Sequence, residues 1–283
     1  MIEALKIDWK TITHVVEPFC GGAGFSRYIA HNVPEFTGRF LWRDTDPGLI
    51  GLMQIIIDGK FPDLLEQTKE EAKTITTKEA FHAYRTKQDI TTGEGYFKNK
   101  RIRGGFREDL FNKENVERFV SSKQNFDPLI AMMQTRVDAK CQSSDKTVEE
   151  INAFPETHKV LVFSDPPYFQ SCNSFYNTCD EKVVLGTGNR HEDADTSGMF
   201  IDVLHFMRSK ATSFCILNHS HLMAELYKGY VKQIYLKTYN QQHKDKKTGK
   251  LYMKQSKHMV ISNHALSEIG AEPIIDEEVE GDI

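Results

Sequence analysis

Short apolar runs alternate with amphipathic stretches along most of this chain. HVVEPF (residues 14 to 19) is apolar and β-branched and leads through a glycine turn into FSRYIAHN, whose apolar spacing is helical. RFLWRD (39 to 44) reads as a second strand, and PGLIGLMQIII as a helix with Pro47 at its start, where proline's missing amide forfeits no hydrogen bond. Residues 59 to 129 break the rhythm. There TKEEAKTITTKEAFHAYRTK and KENVERFVSSK are polar, charged and helix-like, with a glycine-containing basic stretch between them. Alternation returns with the strand VLVFSD, the helical TSGMFIDVLHFMRSK, the strand SFCILN (213 to 218), the helix HLMAELYKGY and two β-like runs flanking HKDKKTGK. Such a βα series closed by a hairpin predicts an α/β protein with a mostly parallel, doubly wound sheet.

Composition narrows the class without changing this picture. A chain of 283 residues that is 39% hydrophobic and 27% charged is expected to be a soluble globular protein with a substantial core. No apolar run approaches the roughly 18 residues of a membrane span, and the amino terminus lacks a charged-then-apolar secretory pattern, so no membrane partner and a cytoplasmic location are expected. The five cysteines form an odd set with no C-x-x-C spacing, which fits reduced thiols and argues against zinc. Net charge is −4 but unevenly placed. Residues 271 to 283 form an acidic tail expected to be disordered, while YFKNKRIRGGFR and HKDKKTGK are basic and would meet a polyanion locally.

Two motifs carry chemistry. In VLVFSDPPYFQ (160 to 170) a strand buried on both faces ends at Asp165, and Pro166 and Pro167 fix the backbone there, at the sheet edge where open α/β folds bind ligands. A stiff turn closing a strand is the plainer reading of the same residues. In EPFCGGAGFS, Gly21, Gly22 and Gly24 stand at a strand-to-helix turn, which is either a bare tight turn or one whose backbone approaches a ligand closely with helix amides pointing at it. No Gly-Lys-Ser/Thr follows, so a phosphate-binding loop is disfavoured. Glu17 precedes the glycines and suits a cationic group. Asp44 ends the second strand, where dinucleotide folds bind ribose hydroxyls, although a turn or helix-cap acid ahead of Pro47 is an equal reading. Together these suggest a nucleoside carrying an amino-acid tail, which describes S-adenosylmethionine.

EPFCGGAGFS, RDTDPGLIGLM and SDPPYF, in that order with an insert before the last, resemble the Dam-like family of DNA adenine-N6 methyltransferases, and the looser likeness runs through ILNHSHLMAELYKGY to the closing hairpin. The resemblance implies a Rossmann-like methyltransferase sheet over residues 1 to 58 and 130 to 270, a helical target-recognition insert over 59 to 129, S-adenosylmethionine as methyl donor and double-stranded DNA as partner. It implies Asp165, Pro166, Pro167 and Tyr168 as the catalytic motif. Glu17, Pro18, Phe19, Cys20, Gly21, Gly22 and Gly24 become the cofactor loop and Asp44 the ribose ligand. Asp145, in CQSSDKTVEEI, becomes a contact to the cofactor's adenine or a helix-capping acid. Family members usually open with a glycine-paired lysine segment that holds the methionine end. IEALKIDWKTI lacks the glycines and leaves Lys10 as the nearest replacement.

In that chemistry Asp165 and the Pro166 carbonyl accept the hydrogens of the target amine, and Tyr168 offers a face for an extruded base. Phe169, Phe175 and Tyr176 line the base pocket or pack in the core. His191, Glu192 and Asp193 read as solvated loop residues, since the reaction needs no metal. Lys98, Lys100, Arg101, Arg103 and Arg107, interleaved with Tyr96, Phe97 and Phe106, form the expected DNA surface, with a solvated basic face as the plainer reading. Two other readings remain open: methylation of cytosine's N4 amine, and a catalytically silent DNA-binding subunit.

Overall fold

The computed structural model describes residues 6 to 101, 111 to 123, 125 to 166, 197 to 244 and 251 to 265. The chain begins β1 (His14–Glu17), α1 (Gly24–Asn32), β2 (Arg39–Asp44) and α2 (Pro47–Ile57). Five further helices follow: α3 (Phe61–Ala72), α4 (Lys78–Thr86), α5 (Gly93–Arg101), α6 (Lys113–Ser121) and α7 (Asp127–Arg136). The second half runs β3 (Val137–Cys141), α8 (Ser144–Asn152), β4 (Val160–Ser164), α9 (Ser197–Arg208), β5 (Thr212–Asn218), α10 (His221–Leu226), β6 (Val231–Lys244) and β7 (Leu251–Ser262).

These strands form one sheet in the order β3-β2-β1-β4-β5-β7-β6. Strands β1 to β5 are parallel, while β7 runs antiparallel to β5 and pairs with β6 as a hairpin. This is the mostly parallel, doubly wound sheet with a closing hairpin that the sequence reading predicts. Chain order reverses on either side of β1, which pairs with β2 on one flank and β4 on the other, so the carboxyl ends of β1, β2 and β4 open into the crevice of a topological switch point.

The central strands are apolar on both faces, as buried parallel strands must be. Val15, Phe40, Trp42, Leu161 and Phe214 join one cluster; Val16, Leu41, Val160 and Val162 join another with Val148 and Ile151 of α8 and Phe206 of α9. The first cluster continues without a break into the inserted helices through Phe61, Leu64, Phe81, Phe97, Val116, Phe119 and Met133. Helices α3 to α7 therefore share the core of the sheet. The boundary drawn after residue 129 falls inside α7, which leads directly into β3.

The insert is also fastened by backbone contact. A Cβ added at Gly93 of α5 would lie 2.2 Å from the carbonyl carbon of Gly51 in α2, so the two helices cross with their main chains touching. Only glycine permits that approach. A Cβ at Gly48, one turn earlier in α2, would lie 2.8 Å from Cδ2 of Tyr96.

Strand β3 is absent from the sequence reading. Its five residues, VDAKC, carry only two buried apolar side chains, Val137 and Ala139. It is an edge strand, paired with β2 alone, so it needs no continuous apolar run.

Candidate functional site

The glycine turn after β1 is shaped by two left-handed residues, Gly21 with φ of 45° and Ala23 with φ of 50°, which reverse the chain ahead of α1. The second φ is costly for alanine and is held by the surrounding bonds. The Cys20 amide donates to the Arg43 carbonyl at 3.0 Å, and the Gly21 amide donates to Asp44 Oδ2 at 2.9 Å. Asp44 Oδ1 accepts the Asp46 amide at 3.0 Å. One carboxylate thus joins the glycine loop to the start of α2. The residue that caps α2 is Asp46, which accepts the Leu49 amide at 3.0 Å, so the cap reading belongs to Asp46 and leaves Asp44 to the loop.

Glu17 is 3% exposed and accepts the Ser26 amide in the first turn of α1 at 2.8 Å. Burial pushes its carboxyl up to about 7, against the Ser26 amide and reinforced by the Asp165 charge. Burial raises Asp44 as well, with the Gly21 and Asp46 amides opposing. Asp46 is pushed to about 6 by burial, countered in part by the Leu49 amide and aided by the charge of Asp44.

Aromatic packing sets the distance from this loop to the second motif. Phe25 of α1 stacks on Phe163 of β4 with ring centroids 4.4 Å apart, and both contact Phe214 of β5, at 5.1 and 4.8 Å. Pairs of this kind contribute about 0.5 to 1.5 kcal/mol each beyond their buried area. They hold α1 against the strand that ends at Asp165, whose side chain is exposed, while Pro166 is buried.

The third wall comes from β3 and α8. Arg43, fully buried on β2, donates to both oxygens of Glu150 at 2.8 and 2.7 Å and to Asp138 Oδ2 at 2.9 Å. Burial alone would raise the Glu150 carboxyl, but Arg43 holds it down to about 2. This pairing fixes α8 on the sheet and with it Ser143, Ser144 and Asp145. The Ser144 hydroxyl donates to Asp202 of α9 at 2.6 Å, and the Ser143 hydroxyl donates to Asp145, lowering that carboxyl.

These elements enclose a cavity of about 940 Å³ at the carboxyl edge of the sheet. All seven residues of the predicted cofactor loop, Glu17 to Gly22 and Gly24, line it, together with Asp44, Asp145 and Asp165. The two sequence motifs therefore meet in one chamber. A Cβ at Gly22 or Gly24 would meet no protein atom within 4 Å, which leaves that side of the loop open. The sequence reading missed Asp46, Ser144, Asp202 and Tyr96, which also line the cavity. The DTD spacing around Pro47 was the available signal for Asp46; Asp202 and Tyr96 arrive only through tertiary packing.

Six lining residues carry carboxyl groups, Glu17, Asp44, Asp46, Asp145, Asp165 and Asp202, and among the described residues no lysine, arginine or histidine lines the cavity.

Two expected site residues lie elsewhere. Lys10 sits ahead of β1, at the opposite edge of the sheet, where its amide donates to Asp8 and neighbouring Trp9 packs on Phe36. Nearness to the glycine loop in sequence is reversed by the strand between them, so Lys10 is no cofactor ligand. Lys98 is 5% exposed and paired with Glu71 and Glu94, each at 2.7 Å, which commits it to the interior of the insert and removes it from the DNA surface. Phe97 is a core residue packed edge-on to Phe61. Lys100 is half-buried, with its ammonium 5.5 Å from the Tyr96 ring centroid. The side chain of Arg101, and residues Arg103, Phe106, Arg107, Pro167, Tyr168, Phe169, Phe175, Tyr176, His191, Glu192 and Asp193, the tip of the hairpin and the acidic tail fall outside the described residues. No described helix is long and apolar enough to cross a membrane.

No family model and no curated protein sequence matches the chain. Among solved structures, it is similar to a precorrin-6Y C5,15-methyltransferase from Geobacter metallireducens, at 10% identity and a TM-score of 0.34 over 92% of this chain and 85% of that one. It is similar to the hMettl16 catalytic domain in complex with a MAT2A 3'UTR hairpin, at 10% identity and a TM-score of 0.32, covering 90% of this chain and 65% of that one. It is similar, too, to the rRNA methyltransferase aviRa from Streptomyces viridochromogenes, at 8% identity and a TM-score of 0.31, covering 92% and 80%. Similarity this distant carries no functional argument, and the architecture rests on the strand order above.

Proposed function

We propose that the cavity binds S-adenosylmethionine and that the chain is a DNA methyltransferase acting on the N6 amine of an adenine turned out of the duplex. The observation that carries the cofactor reading is the charge of the cavity, six carboxyl groups with no basic side chain among the described lining residues. A pyrophosphate would be repelled there, whereas a sulfonium and an ammonium find partners. The volume and mixed lining suit a nucleoside-sized ligand, with Phe163, Phe25 and Leu49 for its apolar faces and Asp44 and Asp46 for its hydroxyls. In this reading Glu17, which lines the cavity at the loop, partners the ammonium. S-adenosylmethionine supplies an electrophilic methyl on its sulfonium.

Adenine's exocyclic nitrogen is a weak nucleophile because its lone pair is delocalised into the ring. Asp165 lines the same cavity, and in this reading it meets the target amine beside the methyl donor. Its carboxylate, with the Pro166 carbonyl, accepts the two amine hydrogens, favours a pyramidal nitrogen and stabilises the positive charge that grows on it. The buried Pro166 keeps both acceptors aimed. Adenine specificity and duplex DNA as substrate follow from the motif resemblance, with Lys100, Arg101, Arg103, Arg107 and the hairpin segment HKDKKTGK offered to phosphates.

The test is incubation with duplex DNA and S-adenosylmethionine labelled in the methyl group, followed by digestion to nucleosides. Labelled N6-methyl-2′-deoxyadenosine supports this reading, labelled N4-methyl-2′-deoxycytidine would move the target to cytosine, and no transfer despite DNA binding would establish the silent subunit.

A further inference from the structure

Tyr96 belongs to the insert by sequence and to the cofactor cavity by position. Its helix, α5, is pressed main chain to main chain on α2 at Gly93 and Gly51, and its ring lies over Gly48 in the first turn of α2. That turn begins at Asp46, two residues from Asp44, and Tyr96 lines the same cavity as both carboxyl groups. The ammonium of Lys100, one turn further along α5, is 5.5 Å from the ring centroid, and its charge acts on Asp46. A half-buried aromatic ring next to hydroxyl-binding acids is suited to the apolar surface of a nucleoside.

We propose that Tyr96 is a cofactor-binding residue contributed by the insert, lying against the nucleoside half of the ligand, so that the element read as target recognition also completes the cofactor site. This rests on the S-adenosylmethionine reading of the cavity. It makes a distinct demand: affinity for the cofactor depends on α5, an element of the insert, whereas the other lining residues come from the sheet, its loops and helices outside the insert.

Calorimetric titration of the full chain tests it, with S-adenosylmethionine and S-adenosylhomocysteine as the ligands. Because the nucleoside is common to both, Tyr96→Ala weakens both by a similar factor, about 5- to 100-fold as expected for loss of an aromatic platform, while thermal melting confirms a folded variant. Tyr96→Phe retains most of the affinity. Tyr96→Trp provides a reading that does not depend on the alanine variant folding: its emission changes on titration with either ligand, beyond any change in the parent protein, whose Trp42 is buried and whose Trp9 packs on Phe36. Parent-like affinity in a folded Tyr96→Ala, or a tryptophan at 96 blind to ligand, overturns this inference alone. Absence of binding by the parent protein overturns the reading of the cavity, and this inference with it.

Discussion

Asp44 accepts the Gly21 amide at 2.9 Å through one oxygen and the Asp46 amide at 3.0 Å through the other, so a single carboxylate holds both lips of the cavity. Asparagine has one acceptor oxygen in place of two and no charge. Asp44→Asn is therefore expected to release either the loop or the start of α2 and to weaken any ligand hydroxyl bonded there. Loss of one charge-assisted hydrogen bond corresponds to about 1.5 to 3 kcal/mol, or roughly 10- to 150-fold in affinity for S-adenosylmethionine. Calorimetry of the variant measures it, and an unchanged dissociation constant would remove Asp44 from the site.

Glu17 gives the cavity a pH dependence whose sign is fixed by burial. Its carboxyl is raised to about 7 in the folded protein from an ordinary value of 4.5. Without ligand, the stability it contributes is fully present below the unfolded value and is lost as pH rises through about 7. A cationic ligand reverses the preference, because it stabilises the ionised form and expels the proton. Cofactor affinity should accordingly fall as pH drops below about 7, and binding at neutral pH should release protons. Titrations in buffers of different ionisation enthalpy read that release directly. Glu17→Gln should melt at a higher temperature than the parent protein at pH 8 without ligand and bind the cofactor more weakly.

Lys98 separates interior from surface within the basic segment. Its side chain is 6% exposed and bridges Glu71 and Glu94, so Lys98→Ala removes the partner of two carboxylates and is expected to lower the melting temperature. The salt dependence of DNA affinity should not change, because no phosphate contact is lost. Replacing Arg101, Arg103 and Arg107 together should flatten that dependence. Fluorescence anisotropy with a labelled duplex over a salt series distinguishes the two, and a flattened slope in Lys98→Ala would return that residue to the interface.

Asp165 and the glycine loop are expected to fail in different steps. Asp165→Ala should abolish methyl transfer to DNA and leave S-adenosylmethionine affinity largely intact, since the loop and Asp44 remain. Single-turnover transfer at saturating cofactor is the measurement. Turnover near that of the parent protein would discard the proposed role of the acceptor pair.

Much of this arrangement was legible in the sequence because the central parallel strands are buried on both faces and write themselves as apolar runs. RFLWRD and VLVFSD mark β2 and β4, and the acids at or just past their ends, Asp44 and Asp165, line the cavity at the carboxyl edge of the sheet. The residues that escaped did so for physical reasons. Strand β3 is an edge with one polar face, so VDAKC lacks the signal. Tyr96 and Lys98 stand in one basic helix yet have opposite destinations, the cavity for one and an interior ion pair for the other, and that division depends on the Gly51 and Gly93 contact between segments far apart in the chain. Lys10 was placed by proximity in sequence, which a strand running away from it undoes.

Calorimetric titration of the full chain at pH 8 with S-adenosylmethionine, compared with ATP and NAD under the same conditions, tests most directly whether a cavity with six carboxyl groups and no basic side chain among its described lining residues is a site for a cationic nucleoside. The account predicts one S-adenosylmethionine bound per chain, with affinity weakened in Asp44→Asn and in Glu17→Gln, and no heat from either phosphate-bearing nucleotide. Binding of ATP or NAD in competition with S-adenosylmethionine, or no binding of S-adenosylmethionine with or without DNA, would contradict it.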